Sequence, residues 1–240
     1  MENDLPLLNI MELVKTGAIK EEFDGSDLIY RDRATEKIVV PAEKRAFIAD
    51  TLAKFEAGEK TAEKTLLQLP NSERGHFVAK CFELTKAGAF SVDDWRSTLE
   101  HGWDHDFVSM WKSAGSRDQL RRWFRAAKFP VSHLPVRFTV YRGGSGIEKF
   151  DLDKGIAWTR DPDIAAWFAL EFWGDRLGGQ PLVVGREITR RQVLAHFTGR
   201  QEDEIIVIKS GPTKVFRDVN RWRKMAEQHT KRIDASDQNY

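Results

Sequence analysis

Two glutamates lie close together in the segment Gln201-Glu202-Asp203-Glu204-Ile205. If this segment opens a β-strand, the alternation of side chains puts Glu202 and Glu204 on one face and Asp203 on the other. Neighbouring carboxylates repel each other, so such a pair is unfavourable for stability alone. It suits a site that stabilises a developing positive charge and orients a polar nucleophile. The alternative is an acidic cap at the start of a strand.

A second candidate for chemistry is Arg142, in the segment Tyr141-Arg142-Gly143-Gly144. Alternation over 136–141 predicts a strand that ends at this arginine. A guanidinium can bind phosphate through two parallel hydrogen bonds, and the glycines after it would let a ligand approach the backbone closely. The alternative is a surface arginine before a two-glycine turn.

His101 and His105 are four residues apart, and Asp104 and Asp106 lie beside them, so one helical face could carry metal ligands. A helical zinc protease needs a glutamate directly after the first histidine, whereas this chain has Gly102 there. We therefore expect no metal site.

The elements that must position these residues follow from hydrophobic periodicity. Helical spacing dominates the first half of the chain, with short β-like passages at 28–30 and 38–40. The prolines of Phe129–Pro135 end the helical pattern, because proline removes a donor and disfavours helix before it. We place a boundary near residue 131, between a mainly helical region 1–130 and a second region 131–240.

The second region alternates strands with a short helix. Strands are expected at 136–141, 182–188 and 204–208, and the Ile-Ile-Val-Ile run of the last is typical of a strand buried on both faces. Asp161 and Pro162 have the types that cap and open a helix. The expected fold class is therefore α+β.

Composition narrows the class of protein. The 240 residues are 41% hydrophobic and carry a formal net charge of +1, so no overall charge attracts nucleic acid or acidic lipid. The one cysteine excludes an internal disulfide framework. No apolar run approaches the roughly 18 residues of a membrane span, and the acidic start differs from a signal peptide. We expect a soluble, cytoplasmic protein without a membrane partner.

The C-terminal stretch Lys209–Tyr240 is locally basic, with eight Lys and Arg against four Asp and Glu. The simpler interpretation is a solvated helix followed by a frayed tail. The alternative is a basic patch that contacts a partner or nucleic acid.

In their order along the chain, these pieces resemble the mono-ADP-ribosyltransferases. They comprise a strand ending in arginine, the segment Gly155–Thr159 leading into a helix with Ala165 and Phe168, a further strand, and Glu-x-Glu at the start of another. The chain is similar to the Arg–Ser–Glu branch, which includes clostridial-type toxins and bacterial and phage enzymes. The resemblance covers roughly residues 136–208. It implies an ADP-ribosyltransferase fold with a split, mostly antiparallel β core and an NAD cleft.

The resemblance also implies roles for individual residues. Arg142, with Gly143, would hold the phosphate and ribose of NAD. Glu204 would bind the nicotinamide ribose and stabilise the oxocarbenium-like centre that forms as nicotinamide leaves. Glu202 would orient the acceptor, and a glutamate there is similar to arginine-modifying members.

Further roles fall on the segments between these motifs. Residues 188–201 would form the substrate-recognising turn, and 172–176 would form the loop that covers phosphate and nicotinamide. The residues that these segments and the cofactor motif contribute are His196, Phe197 and Gly199 for recognition, and Trp158, Thr159, Phe172 and Arg176 for NAD.

One position departs from the family pattern. The Ser-Thr-Ser stretch of the family usually begins with a serine that seats the nicotinamide ribose, and this chain has Ala157-Trp158-Thr159. Thr159 matches the last hydroxyl, but Ala157 lacks the first.

The function that the resemblance implies is transfer of ADP-ribose from NAD to a macromolecular acceptor, a protein side chain such as arginine, with release of nicotinamide. NAD is a substrate and no metal is needed. One alternative is an NAD glycohydrolase on the same fold. Another is a non-catalytic module that binds protein or nucleic acid. NAD consumption separates the enzymes from the module, and a labelled macromolecule separates transfer from hydrolysis.

Overall fold

The computed structural model describes residues 6–24, 27–172, 179–199, 202–209, 211–216 and 218–237. The chain divides into two compact units, Met1–Ser116 and Arg117–Tyr240. Contacts thus separate the units just after residue 116, whereas the sequence placed a boundary at the prolines near residue 131. The α+β class expected from the sequence is confirmed, because both units combine helices with an antiparallel sheet.

The first unit combines a small antiparallel sheet with helices. Its sheet has the order β1–β2–β3, and the strands β2 and β3 match the β-like passages of the sequence. The elements are α1 (Leu7–Lys15), β1 (Ile19–Asp24), β2 (Asp27–Asp32), β3 (Ile38–Val39), α2 (Ala42–Glu56), α3 (Ala62–Gln68), α4 (Asn71–Lys86) and α5 (Val92–Ala114).

Helices α4 and α5 pack closely because a glycine lies at their crossing. The Gly75 N–H donates to Ser109 Oγ over 2.8 Å, and a Cβ on Gly75 would overlap the Ser109 carbonyl. Ser91 caps α5 by accepting the Asp94 N–H over 3.1 Å. The side chain of Cys81 is fully buried in α4.

The second unit is built on a six-stranded antiparallel sheet of order β7–β8–β5–β4–β6–β9. Short helices connect or cover its strands. The elements are α6 (Arg117–Ala127), β4 (Arg137–Ser145), α7 (Lys149–Asp153), β5 (Ala157–Thr159), α8 (Pro162–Trp167) with a π-helical turn (Phe168–Phe172), β6 (Pro181–Thr189), a 3₁₀ turn (Arg190–Gln192), β7 (Val193–Phe197), β8 (Glu204–Val207), β9 (Lys214–Phe216) and α9 (Val219–Asp237).

The strand and helix expectations for this unit are largely confirmed, except that β4 continues through Arg142 to Ser145 instead of ending at the arginine. All four residues of β8 are buried, as the Ile-Ile-Val run indicated. Asp161 caps α8 by accepting the Asp163 N–H over 2.8 Å, and Pro162 opens the helix. Helix α8 lies so close to β4 that a Cβ on Gly143 would overlap the Ala165 carbonyl. Glycine is therefore required at this position for packing.

Helix α9 packs against α8 and is not exposed to solvent on all sides. Its Trp222 and Ala226 are buried in the cluster that contains Ala165 and Ala166. The Arg232 guanidinium pairs with Asp161 over 2.9 Å and with Asp163 over 3.1 Å. Part of the basic character of this region is thereby used in packing the unit.

The sheet is nearly divided between β4 and β5. The register joins these two strands through the pair Tyr141↔Thr159, the one pair found among the described residues, whereas nine pairs join β4 to β6. The sheet therefore opens on one side of Tyr141, which leaves space for a side chain between the two strands.

Within the residues that the structure describes, no helix has both the length and the apolar character needed to cross a membrane.

Candidate active site

Three neighbouring strands bring together residues that are far apart in the sequence. Arg142 lies on β4, Thr159 ends β5 and Glu204 begins β8, and these strands are adjacent in the sheet. Thr159 is opposite Tyr141 on one side and opposite Glu204 on the other. Thr159 is 6% exposed and Glu204 is 9% exposed. The three residues thus lie on adjacent strands beside the opening between β4 and β5, and the charge of Glu204 acts on Arg142.

The guanidinium of Arg142 is held inside this opening. Its Nη1 donates to the Ala157 carbonyl, and its Nε is buried without a hydrogen-bond partner among the described residues. Burial lowers the pKa of Arg142 to about 10, the Glu204 charge opposes that shift, and Arg117 adds to it. Because this pKa is well above 7, Arg142 keeps its charge at neutral pH. A buried cation with an unused donor is suited to binding an anion.

The absence of a side chain at Gly155 leaves space for this guanidinium, a role that no motif in the sequence indicated. A Cβ on Gly155 would lie 2.5 Å from Arg142 Cζ and 2.5 Å from Nε. Real Cβ atoms essentially never approach this closely, so any larger residue must displace the Arg142 side chain. The only sequence signal was a glycine shortly before the Ala157–Thr159 motif.

Gly155→Ala is expected to weaken NAD binding at least about tenfold, which corresponds to loss of about one charge-assisted hydrogen bond. The reason is that the added methyl group moves the guanidinium away from the opening. Calorimetric titration of NAD measures the change.

Gly144→Ala is the matched control, because the nearest neighbours of its Cβ would be the Leu152 and Ile147 side chains, at 3.0 and 3.2 Å, rather than Arg142. This variant should keep its affinity for NAD. If both variants bind as tightly as the wild type, Gly155 does not position Arg142 for a ligand.

The acidic segment differs from the regular strand expected for it. The strand begins at Glu204, and Asp203 has a left-handed backbone with φ of 43°. The alternation that would put Glu202 and Glu204 on one face therefore does not extend to Glu202. The Thr159 hydroxyl donates to the Glu202 carbonyl over 2.8 Å and accepts the Asp161 N–H over 3.0 Å. The Thr159 side chain thus fixes the backbone of the acidic segment at Glu202.

Of the residues expected to recognise substrate, His196 and Phe197 have buried side chains, whereas Gly199 is exposed. The side chain of His196 is 6% exposed, and its Nε2 donates to Asp203 Oδ1 over 2.6 Å. Phe197 is 3% exposed, and its ring centroid lies 5.1 Å from that of Phe129 and 6.1 Å from that of Phe124. Phe197 thus packs in the protein core, and the side chain of His196 is enclosed between Asp203 and His133. Gly199 accepts the Glu202 N–H over 3.3 Å.

Trp158 also lies in the core, although a role in NAD binding was expected. The residue is 2% exposed. Its Nε1 donates to the Gly155 carbonyl over 2.9 Å, and Arg186 Cζ lies 4.6 Å from its ring centroid. Its contact with Gly155 supports the loop that makes room for Arg142, so its observed contribution is indirect.

The expected covering loop is described only at its start. Phe172 ends the π-helical turn, half-buried, with ring centroids 5.3 Å from Trp167 and 5.2 Å from Phe168. π-Helical turns are frequent at functional sites. Arg176 lies outside the described residues.

The histidines of α5 have other partners. His101 Nε2 lies 3.0 Å from Glu63 Oε1, and His105 Nδ1 is 2.9 Å from the His101 carbonyl. Over the part of the chain that is described, no group of three or more His, Cys, Asp or Glu side chains could hold a metal ion.

Comparison of the chain with models of protein families, with curated proteins and with solved structures gives no match.

Proposed function

We propose that this protein is a mono-ADP-ribosyltransferase of the Arg–Ser–Glu type, which transfers ADP-ribose from NAD to a protein side chain. The observation that carries the proposal is the position of Arg142, Thr159 and Glu204 on three adjacent strands of one sheet, where the Glu204 charge acts on Arg142. The resemblance in sequence rested on motifs spread over roughly 70 residues. Their positions on neighbouring strands of one sheet support a common site.

The ligand that fits Arg142 is a diphosphate. The guanidinium is buried, charged at neutral pH, and has an unused Nε–H. The charge of Arg117 acts on the same group. The positive charge of two arginines favours an anion at this position, and the diphosphate of NAD supplies two negative charges.

The proposed reaction breaks the bond between C1′ of the ribose and the nicotinamide nitrogen. Nicotinamide leaves with the bonding electron pair, and positive charge develops on the ribose. The Glu204 carboxylate accepts a hydrogen bond from a ribose hydroxyl and stabilises that charge. The acceptor nucleophile then bonds to C1′, and Glu202 accepts its proton. Thr159 serves this reaction by fixing the backbone of Glu202 rather than by touching NAD.

Ala157 in place of the family serine is compatible with this geometry. The Arg142 guanidinium binds the backbone carbonyl of Ala157, a contact that needs no side chain at this position. The arginine is thus oriented without the missing hydroxyl.

The function is tested by incubating the full chain with NAD that is labelled in its adenylate part, with and without a protein lysate. Release of free nicotinamide together with mass-labelled proteins is expected. Nicotinamide release without labelled protein would indicate a glycohydrolase. Absence of both NAD binding and NAD consumption would contradict the proposal and favour a binding module.

Glu202→Gln is expected to lower protein labelling about tenfold or more while nicotinamide release falls less, because the amide cannot accept the proton of the acceptor. The two rates are measured in the same reaction by mass spectrometry and by nicotinamide chromatography. Equal loss of both rates would contradict a role for Glu202 toward the acceptor. Glu187→Gln, at an exposed position on β6, is the control.

A further inference from the structure

Asp203 lies between the two glutamates of the site, in a backbone conformation that an L-residue does not favour. Its φ is 43°, in the left-handed region where a Cβ meets the neighbouring carbonyl. Such a conformation persists when surrounding contacts hold it, and it is concentrated at functional sites. The contacts of Asp203 therefore decide how the chain turns into β8.

The Asp203 carboxylate is held from both sides. Arg160 Nε lies 3.0 Å from each of its oxygens, and Arg160 Nη2 lies 2.9 Å from Oδ1. His196 Nε2 donates to Oδ1 over 2.6 Å. Arg160 follows β5 and His196 lies on β7, the two strands that flank β8. The Asp203 carboxylate, just before β8, is thus held by one residue on or directly after each of the two strands that flank β8.

The backbone around Asp203 is fixed as well. The Arg160 N–H donates to the Asp203 carbonyl over 3.3 Å, and Thr159 Oγ1 donates to the Glu202 carbonyl over 2.8 Å. These contacts leave the chain little freedom to rotate between Glu202 and Glu204. The directions of both carboxylates then depend on the conformation of the residue between them.

A second histidine supports the clamp. His133 Nε2 lies 2.7 Å from His196 Nδ1. A carboxylate only accepts hydrogen bonds, so His196 carries a proton on Nε2. The other ring nitrogen of His196, Nδ1, is the atom that contacts His133. The result is a chain of hydrogen bonds from exposed His133 to Asp203.

The charges make Asp203 unsuitable as a third acid of the site. Its carboxylate is paired with the Arg160 guanidinium through three short contacts, so its charge is neutralised locally. A third uncompensated carboxylate beside Glu202 and Glu204 would add repulsion to the site and would distort it. Pairing lets Asp203 direct its neighbours without adding to their charge.

We propose that Asp203, clamped by Arg160 and His196, is the positioning residue that sets the directions of the Glu202 and Glu204 carboxylates in the transfer reaction. The inference rests on the proposed function. It differs from that function in assigning the geometry of the acidic pair to a residue that touches neither NAD nor acceptor.

The test uses Asp203→Gly in the full chain, because glycine adopts the left-handed backbone freely and removes only the clamp. The kcat for nicotinamide release should fall about 10–100-fold, the loss expected for a misplacement near 1 Å. The dissociation constant for NAD should change less than about twofold, because Arg142 is untouched. Asp203→Asn should recover part of the rate, since asparagine tolerates this backbone and keeps one accepting oxygen.

Lys128→Gly is the matched control, because Lys128 is exposed, also has a positive φ of 50°, and lies at the end of α6. It should keep wild-type kcat. A wild-type rate for Asp203→Gly, or a rate that falls only in step with its melting temperature and is not recovered by asparagine, would overturn the positioning role. A wild-type protein that neither binds nor consumes NAD would instead refute the proposed function, and the positioning role with it.

Discussion

Glu204→Gln is expected to lower the rate of nicotinamide release about 10²–10³-fold, the usual effect of removing one preorganised electrostatic stabiliser. Glutamine keeps the shape of the side chain but loses the negative charge that faces the developing cation. Because that charge acts mainly in the transition state, kcat should fall much more than affinity for NAD. Nicotinamide release under saturating NAD, together with calorimetric titration, separates the two quantities.

Folding must be checked in the same variant, because Glu204 is buried and its charge raises the pKa of Arg142. A cooperative thermal transition near that of the wild type is the required control. Glu187→Gln removes a carboxylate from an exposed position of the same sheet and should leave the rate unchanged. Normal turnover by a well-folded Glu204→Gln protein would contradict its assignment as the catalytic carboxylate.

Arg142→Lys is expected to weaken NAD binding by about 1.5–3 kcal/mol, the range for losing charge-assisted hydrogen bonds. Lysine presents a compact ammonium and cannot reproduce the planar fork of donors. A buried lysine also loses its proton more readily than a buried arginine. The affinity of the Arg142→Lys protein for NAD should therefore fall further as the pH rises. Calorimetric titration of NAD at two pH values measures both effects.

Arg137→Lys is the matched control, because Arg137 lies on the same strand with a 71% exposed side chain. It should bind NAD like the wild type. Some loss of thermal stability is expected for Arg142→Lys, since the structure places the guanidinium against the Ala157 carbonyl rather than at an open strand end. Identical dissociation constants for Arg142→Lys and wild type would refute the diphosphate site and weaken the family assignment.

The sequence predicted best where local pattern alone decides the structure. The Ile-Ile-Val run of β8 is buried as expected, because a strand covered on both faces needs no polar positions. Asp161 and Pro162 open α8, because capping depends on a few adjacent residues. The order of motifs also placed Arg142 and Glu204 on different strands of one sheet, and the structure makes their strands close neighbours.

The sequence predicted less where contacts between residues far apart in the chain decide the local conformation. Period-two alternation failed at Glu202 because Asp203 has a left-handed backbone held by Arg160, which is 43 residues away. Residue type also cannot distinguish an aromatic ring that stacks on a ligand from one that fills a core. Trp158 and Phe197 have suitable types for a binding site, yet they are 2% and 3% exposed.

The boundary expected near residue 131 shows the same limit of local sequence patterns. The prolines near residue 131 end a helix, but a helix end separates domains only if few contacts cross it. Phe124 of α6 contacts Phe197 of β7, so this helix belongs to the unit that contains the sheet. That contact depends on the fold and leaves no trace in the pattern around residue 131.

The buried thiol of Cys81 provides a built-in probe of the first unit. Cys81 is the one cysteine of the chain, and burial raises the pKa of its thiol to about 12. Thiol reagents react with the thiolate, so the folded protein should be labelled very slowly at neutral pH. The labelling rate then reports how often Met1–Ser116 opens, without any engineered tag. Any ligand or substitution that stabilises this unit should therefore slow the labelling of its sulfur.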